Sequence, residues 1–143
     1  MLQTNAFDYR QQIPEIMKAL VAAETTIAAG DLDPMLRHLV KLRASQINGC
    51  AFCVKMHLAE ARKDGETNDR LDRVIVWQHV DDFSEREKAA LAWTEALTFL
   101  DHGADHSAVK QRLAQFFSDP QIAALTACIA MINLWNRLMV ASH

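Results

Sequence analysis

An all-α fold, a bundle of about seven helices, is what this chain of 143 residues predicts. Three observations carry that expectation. Apolar residues recur at helical spacing nearly throughout, with little of the alternation a strand needs. Only four glycines and three prolines occur, and each falls where a helix should start or stop. Capping residues stand in front of several of the apolar runs.

Taken in order, Pro14 opens a first helix to about Ala29, with Gly30 just beyond its end. Asp33 is the N-cap of a second, with Pro34 at the first helical position and Leu36, Leu39, Val40, Leu42 and Ile47 at helical spacing. Asn48-Gly49 interrupts that pattern, as a turn-forming pair does. A third helix carries Cys50 through Arg62 and ends at Gly65, with Arg62 and Lys63 near its negative pole. A fourth spans about Asp69 to His79. Ser84-Glu85-Arg86-Glu87 is a capping box that opens a fifth helix to about Leu100, and Gly103 separates it from a sixth over Ser107 to Phe117. Asp119-Pro120 repeats the N-cap and first-turn device before a long apolar final helix to about Met139. No repeat, linker or low-complexity stretch divides the chain, so residues 1–143 read as a single domain.

Composition narrows the function classes. Half the residues are apolar and the net charge is −3 with no Lys/Arg block, which argues against a nucleic-acid partner. No run approaches the ~20 uninterrupted apolar residues that cross a bilayer. Met1–Arg10 lacks the basic start and apolar core of a signal peptide. The expectation is a cytoplasmic protein with no membrane partner. Cys128 stands alone in the apolar run Ile122–Met131 and reads as core packing, and Trp77, Trp93 and Trp135 read as core or subunit-contact residues.

The chemistry concentrates in Ser45-Gln46-Ile47-Asn48-Gly49-Cys50-Ala51-Phe52-Cys53, followed by His57. On a helix, positions 50, 53 and 57 share one face within two turns. Two thiols and an imidazole on one stripe make a disulfide-forming pair with a proton acceptor beside it. A free cysteine has a pKa of ~8.5, so the thiolate needs help; a helix N-terminus and a nearby imidazole supply it. Peroxide reduction needs one attacking thiolate and a second thiol that resolves the sulfenic acid. The helix terminus favours Cys50 as the attacking thiol and His57 favours Cys53; the residues alone leave that choice open. No flavin, haem or nucleotide fingerprint is present, so no cofactor is expected and electrons must come from an external thiol or disulfide donor.

The run Leu39 to His57 resembles the core signature of alkylhydroperoxidase D-like proteins, within the wider carboxymuconolactone decarboxylase family. The likeness extends through Ala61–Glu66, Glu85–Trp93 and Asn133–Arg137. It implies an all-helical fold, a homo-oligomer (trimer or hexamer), and thiol-dependent reduction of a hydroperoxide substrate. It also implies roles: Cys53 peroxidatic, Cys50 resolving, His57 the relay base. Two positions depart from the family pattern. His38 stands where a relay glutamate is usual, twelve residues before Cys50, and Phe52 stands where a histidine usually precedes the second cysteine. An imidazole at 38 titrates near neutrality but supplies no fixed negative charge. Glu85 or Glu87 are alternative acids for the relay.

Three other functions compete. A general protein disulfide reductase uses the same dithiol. A lactone decarboxylase, as in the other branch of the family, has no need of two thiols. A zinc module could draw on Cys50, Cys53, His57 and His38, although structural zinc takes a knuckle and a separate element more readily than one continuous helix; no metal is expected. His102 and His106, with Asp101 and Asp105 around Gly103, read as a solvated loop.

Overall fold

The computed structural model describes residues 7–143. Among them lie eight α-helices, one 3-10 segment and no strand: α1 (Tyr9–Gln12), α2 (Pro14–Ala28), α3 (Pro34–Ile47), α4 (Ala51–Lys63), α5 (Asn68–Arg73), the 3-10 segment Val74–His79, α6 (Glu85–Phe99), α7 (Ser107–Phe116) and α8 (Asp119–Ser142). The all-α expectation is met. The helix count rises from seven to eight because Asp8 caps a single short turn, Tyr9–Gln12, too brief to show a hydrophobic period.

α3 is the organising element. Leu36, Leu39, Val40, Lys41, Leu42, Ala44 and Ser45 are all buried, so the helix is covered on nearly every side and packs against α4, α6 and α8. It joins two apolar clusters. Leu36 and Val40 belong with Trp93 of α6, Leu113 of α7, and Leu125 and Ile129 of α8. Leu39 and Leu42 belong with Ala61 of α4, Leu71 of α5, Val74, Trp77 and Leu91. Cys128 lies in the first cluster, where burial pushes its thiol pKa up to about 11 and leaves it a small hydrophobe.

Two expected boundaries change. The single helix over Asp69–His79 divides at Arg73: α5 ends there and the chain tightens to a 3-10 segment, with Val76 at φ −117°, ψ 27°. The β-branched run Val74-Ile75-Val76 explains the break, since stiff χ1 angles crowd an α-helical turn. The final helix is capped by Ser118, one residue earlier than expected, with Gln121 closing a capping box, and it runs on to Ser142. The Ser84–Glu87 capping box forms as expected. α6 ends on Leu100 in the left-handed region at φ 49°, a conformation that costs a side-chain-bearing residue about 1 kcal/mol. α8 is long and apolar enough to cross a membrane by composition, with mean hydropathy 1.4. In this fold its inward face, Leu125, Cys128, Ile129, Ile132 and Asn136, is buried in the bundle.

Leu91 is fully buried and Ile75 is 59% exposed. Replacing Leu91 with Ala is expected to cost about 2–5 kcal/mol in urea denaturation, because a void forms between α6 and α3. Ile75→Ala should change the same measurement by no more than about 0.5 kcal/mol.

Candidate active site

The site is built at the turn between α3 and α4. α3 closes with paired bonds, Gly49 N–H to Gln46 O at 3.2 Å and Cys50 N–H to Ser45 O at 3.1 Å, which is a Schellman motif. Gly49 takes φ 65°, the left-handed value that motif demands and a side chain resists. The next residue, Cys50, is extended (φ −86°, ψ 95°) and serves as the N-cap of α4, its Sγ accepting the Cys53 N–H at 3.3 Å. Cys50 therefore stands just outside the helix it was expected to begin, and Cys53 sits in the first turn.

Side chains of α8 hold this turn in place. Asn48 Nδ2 donates to Asn133 Oδ1 at 2.9 Å and to Asn136 Oδ1 at 3.0 Å. Asn136 Nδ2 donates to Ser45 Oγ at 2.9 Å, and Ser45 Oγ donates to Lys41 O at 2.7 Å. Asn133 Nδ2 reaches Thr98 Oγ1 of α6 at 3.2 Å, and Arg137 donates back to Asn133 Oδ1 at 3.1 Å. Asn136 is wholly buried, so these bonds satisfy amides that would otherwise be costly inside the bundle.

Cys50 and Cys53 are joined as a disulfide with Cα atoms 5.3 Å apart, and both are buried. His57 lies one turn after Cys53, only 4% exposed. Its Nδ1 meets Glu60 Oε2 at 3.2 Å, while its Nε2 is buried without a partner. With Nδ1–H donating to a carboxylate, Nε2 carries the basic lone pair. Burial is the largest influence on the ring and holds its pKa below the ordinary value; the Glu60 carboxylate opposes this, and Lys41 and His38 reinforce it. His57 is thus a neutral base at neutral pH.

Cys53, His57 and Glu60 line one cavity of about 630 Å3. Its inner wall is apolar, from Met17, Val21, Met56, Ile132 and Trp135, and Phe7–Arg10 and the Ser142–His143 end of the chain border it. Phe7 and Ser142 bond each other twice, N–H to O at 3.3 Å and Oγ to O at 2.8 Å, which ties α1 to the end of α8. Two charged groups share that cavity and were missed by sequence reasoning. Lys41 Nζ donates to Glu24 Oε1 at 2.6 Å, and Trp135 Nε1 donates to Glu24 Oε2 at 3.3 Å. In sequence Lys41 is one polar residue on an apolar helix and Glu24 lies on another helix, so no spacing links them. Glu60, three residues after His57, was detectable as a same-face neighbour.

His38 is placed otherwise. Its Nε2 meets Asp64 Oδ2 at 2.6 Å, tying α3 to the end of α4; its Nδ1 is buried and unpaired, and it does not line the cavity. Glu85 and Glu87 stand apart from the site altogether, because Glu85 pairs with Arg112 and Glu87 with Arg70 at 2.5 Å. The capping-box reading of Glu87 holds and the relay reading of both does not. Phe52 is half exposed and stacks on His143 with ring centroids 5.8 Å apart.

A CxxC pair at the head of a helix whose inward face carries a histidine one turn on defines a dithiol protein of the all-helical alkylhydroperoxidase D-like class. The sequence model of the carboxymuconolactone decarboxylase family matches residues 14–96, α2 through most of α6, and the chain belongs to that family. It is 35% identical over 133 residues to the protein YdfG of Bacillus subtilis (strain 168), covering 93% of this chain and 90% of that one. It is 34% identical over 106 residues to YnjA of Escherichia coli (strain K12), covering 74% of this chain but 58% of that one. A crystal structure of a protein of unknown function from Agrobacterium tumefaciens, provisionally described as an antioxidant defence protein AhpD, superposes with TM-score 0.91. The identity there is 38%, over 97% of this chain and 95% of that one.

Asn136→Leu removes one amide from the turn and leaves Ser45 and Asn48 short of partners. The expected loss is about 1–3 kcal/mol of stability by chemical denaturation.

Proposed function

We propose that the chain is a thiol-dependent peroxidase of the alkyl hydroperoxide reductase type, cycling Cys50 and Cys53 between dithiol and disulfide, with a role in antioxidant defence. The observation that carries this reading is the Cys50–Cys53 bridge whose Cys53 end shares an apolar cavity with His57. Cys53 is the peroxidatic thiol, Cys50 the resolving thiol and His57 the base. His57 Nε2 takes the Cys53 proton as the sulfur attacks the hydroperoxide; the O–O bond breaks and the alkoxide takes that proton as it leaves. The Cys50 thiol then attacks the Cys53 sulfenic sulfur, the S–S bond forms and water departs. A hydroperoxide with an apolar substituent suits the cavity wall. An external thiol donor returns two electrons, which fits a reducing compartment such as the cytoplasm.

The relay carboxylate in this reading is Glu60, which stands beside His57, and position 38 has no part in it because His38 pairs with Asp64. The whole chain works as one domain in a homo-oligomer of trimer or hexamer order, with exposed Phe99, Leu100 and Val140 as apolar surface for a neighbouring copy. A decarboxylase reading predicts activity that survives loss of both thiols, so a lactone assay on the Cys50→Ser, Cys53→Ser double variant separates the two.

The direct test mixes reduced protein with an alkyl hydroperoxide and follows free thiols and mass. One equivalent should remove two titratable thiols and two hydrogen masses; thiols that persist would contradict the proposal. His57→Ala should slow that oxidation by about a hundredfold or more in stopped-flow.

The pH dependence has a definite sign. Since the His57 pKa lies below 6.5, its basic form persists into mild acid and the acidic limb of the oxidation rate should fall below that pH. Glu60→Gln removes an influence that raises the pKa and should move the limb lower still. Stability follows the same group: the unfolded chain is protonated first on acidification, so the His57 contribution is intact above 6.5 and declines as pH falls through the lowered value.

A further inference from the structure

The two cysteines of the bridge line different cavities, one on each side of α4. Cys53, Met56, His57 and Glu60 fall on one face of the helix and line the large cavity. Ala51, Val54, Lys55, Leu58 and Arg62 fall on the other and line a second cleft of about 510 Å3 whose floor includes Cys50. The lining sets share no residue. Their charge also differs. The large cavity carries Asp8, Glu24 and Glu60 against Arg10 and Lys41. The cleft carries Lys55 and Arg62 and no carboxylate.

We propose that the reductant of this protein is a small anionic thiol that binds in the Lys55–Arg62 cleft and attacks Cys50, while the hydroperoxide reaches Cys53 from the opposite face. The inference rests on the dithiol cycle proposed above and adds the entry side and the charge of the electron donor. Attack on a disulfide requires the incoming sulfur to approach in line with the bond it breaks. A thiolate in the cleft meets Cys50 first and drives the leaving sulfur, Cys53, toward the cavity. There the departing Cys53 thiolate takes up a proton. The S–S bond breaks as the bond between Cys50 and the reductant forms. The thiolate of a second reductant molecule then attacks the reductant's sulfur in that mixed disulfide, forming the reductant's own disulfide and releasing Cys50 as thiolate. Two thiols of the reductant are oxidised, the protein bridge is reduced, and the two protons end on Cys50 and Cys53. A cleft of this volume holds a small molecule, and two cations with no opposing carboxylate favour a negative one.

The test uses the full-length oxidised protein and two matched vicinal dithiols, 2,3-dimercaptopropane-1-sulfonate and neutral 2,3-dimercaptopropanol. The sulfonate should reduce the bridge faster. Lys55→Glu, at an exposed position that folding tolerates, should slow the sulfonate by about fivefold and the neutral dithiol by less than about twofold. Equal effects on both reagents, or none on either, would overturn the proposed charge preference. The attacked sulfur is mapped separately. Oxidised protein is treated with 2-mercaptoethanesulfonate, the freed thiol is capped with N-ethylmaleimide, and the adducts are located by tandem mass spectrometry. The sulfonate adduct should lie on Cys50 and the maleimide on Cys53; the reverse order would overturn the proposed side of entry. Neither arm uses a peroxide. Oxidised protein that behaves as expected here but is never regenerated by hydroperoxide would sink the peroxidase reading and leave the cleft assignment standing.

Discussion

The backbone turn Asn48-Gly49-Cys50 is the constraint on which the rest of the site depends. Cys50 belongs to two helices at once: its N–H closes the Schellman motif that ends α3, and its Sγ caps the first turn of α4. Because Cys50 is held by the end of α3, Cys53 and His57 are carried into position by the helix that begins there. Gly49 makes the turn possible through its left-handed backbone, and Asn48 anchors it to α8. A chain without that junction would still place two cysteines close in sequence. It would not fix which of them caps the helix and which faces the cavity.

Burial governs the chemistry around that junction. The imidazole of His57 is kept neutral chiefly by removal from water, and its free nitrogen has no competing protein partner. Lys41 and Glu24 are also inside, but as a bonded pair steadied by Trp135, so neither enters the cavity as an isolated charge. The result is a cavity with an apolar inner wall into which His57 brings a ring nitrogen that has no protein partner. Opening and closing the Cys50–Cys53 bridge spans less than one helical turn, over a Cα separation of 5.3 Å within the ordinary range for a disulfide.

Much of this was legible from the residues, and what was not has identifiable causes. Helices announced themselves where a cap and a long apolar period coincided, as at Asp33-Pro34 and Ser84–Glu87. The division of the Asp69–His79 segment was hidden because Leu71, Val74, Ile75 and Trp77 keep a helical spacing while the β-branched run Val74–Val76 resists α geometry. The single turn at Tyr9–Gln12 was hidden because four residues have no period. At the site, spacing along one helix placed Cys50, Cys53 and His57 together. It could not place His38, whose partner Asp64 is 26 residues away, or bring Glu24 to Lys41 across two helices. Only the fold decides contacts of that kind. His38 thus pairs with Asp64, while Glu60 is the carboxylate that stands beside His57.

The most direct test of the account is to learn which sulfur meets the peroxide. Reduced Cys50→Ser and Cys53→Ser variants are exposed to one equivalent of alkyl hydroperoxide with a sulfenic-acid trap, and the trapped residue is located by mass spectrometry. The account predicts a trapped sulfenic acid on Cys53 in the Cys50→Ser protein and none on Cys50 in its counterpart. Trapping on Cys50 alone, or on neither sulfur, would contradict it.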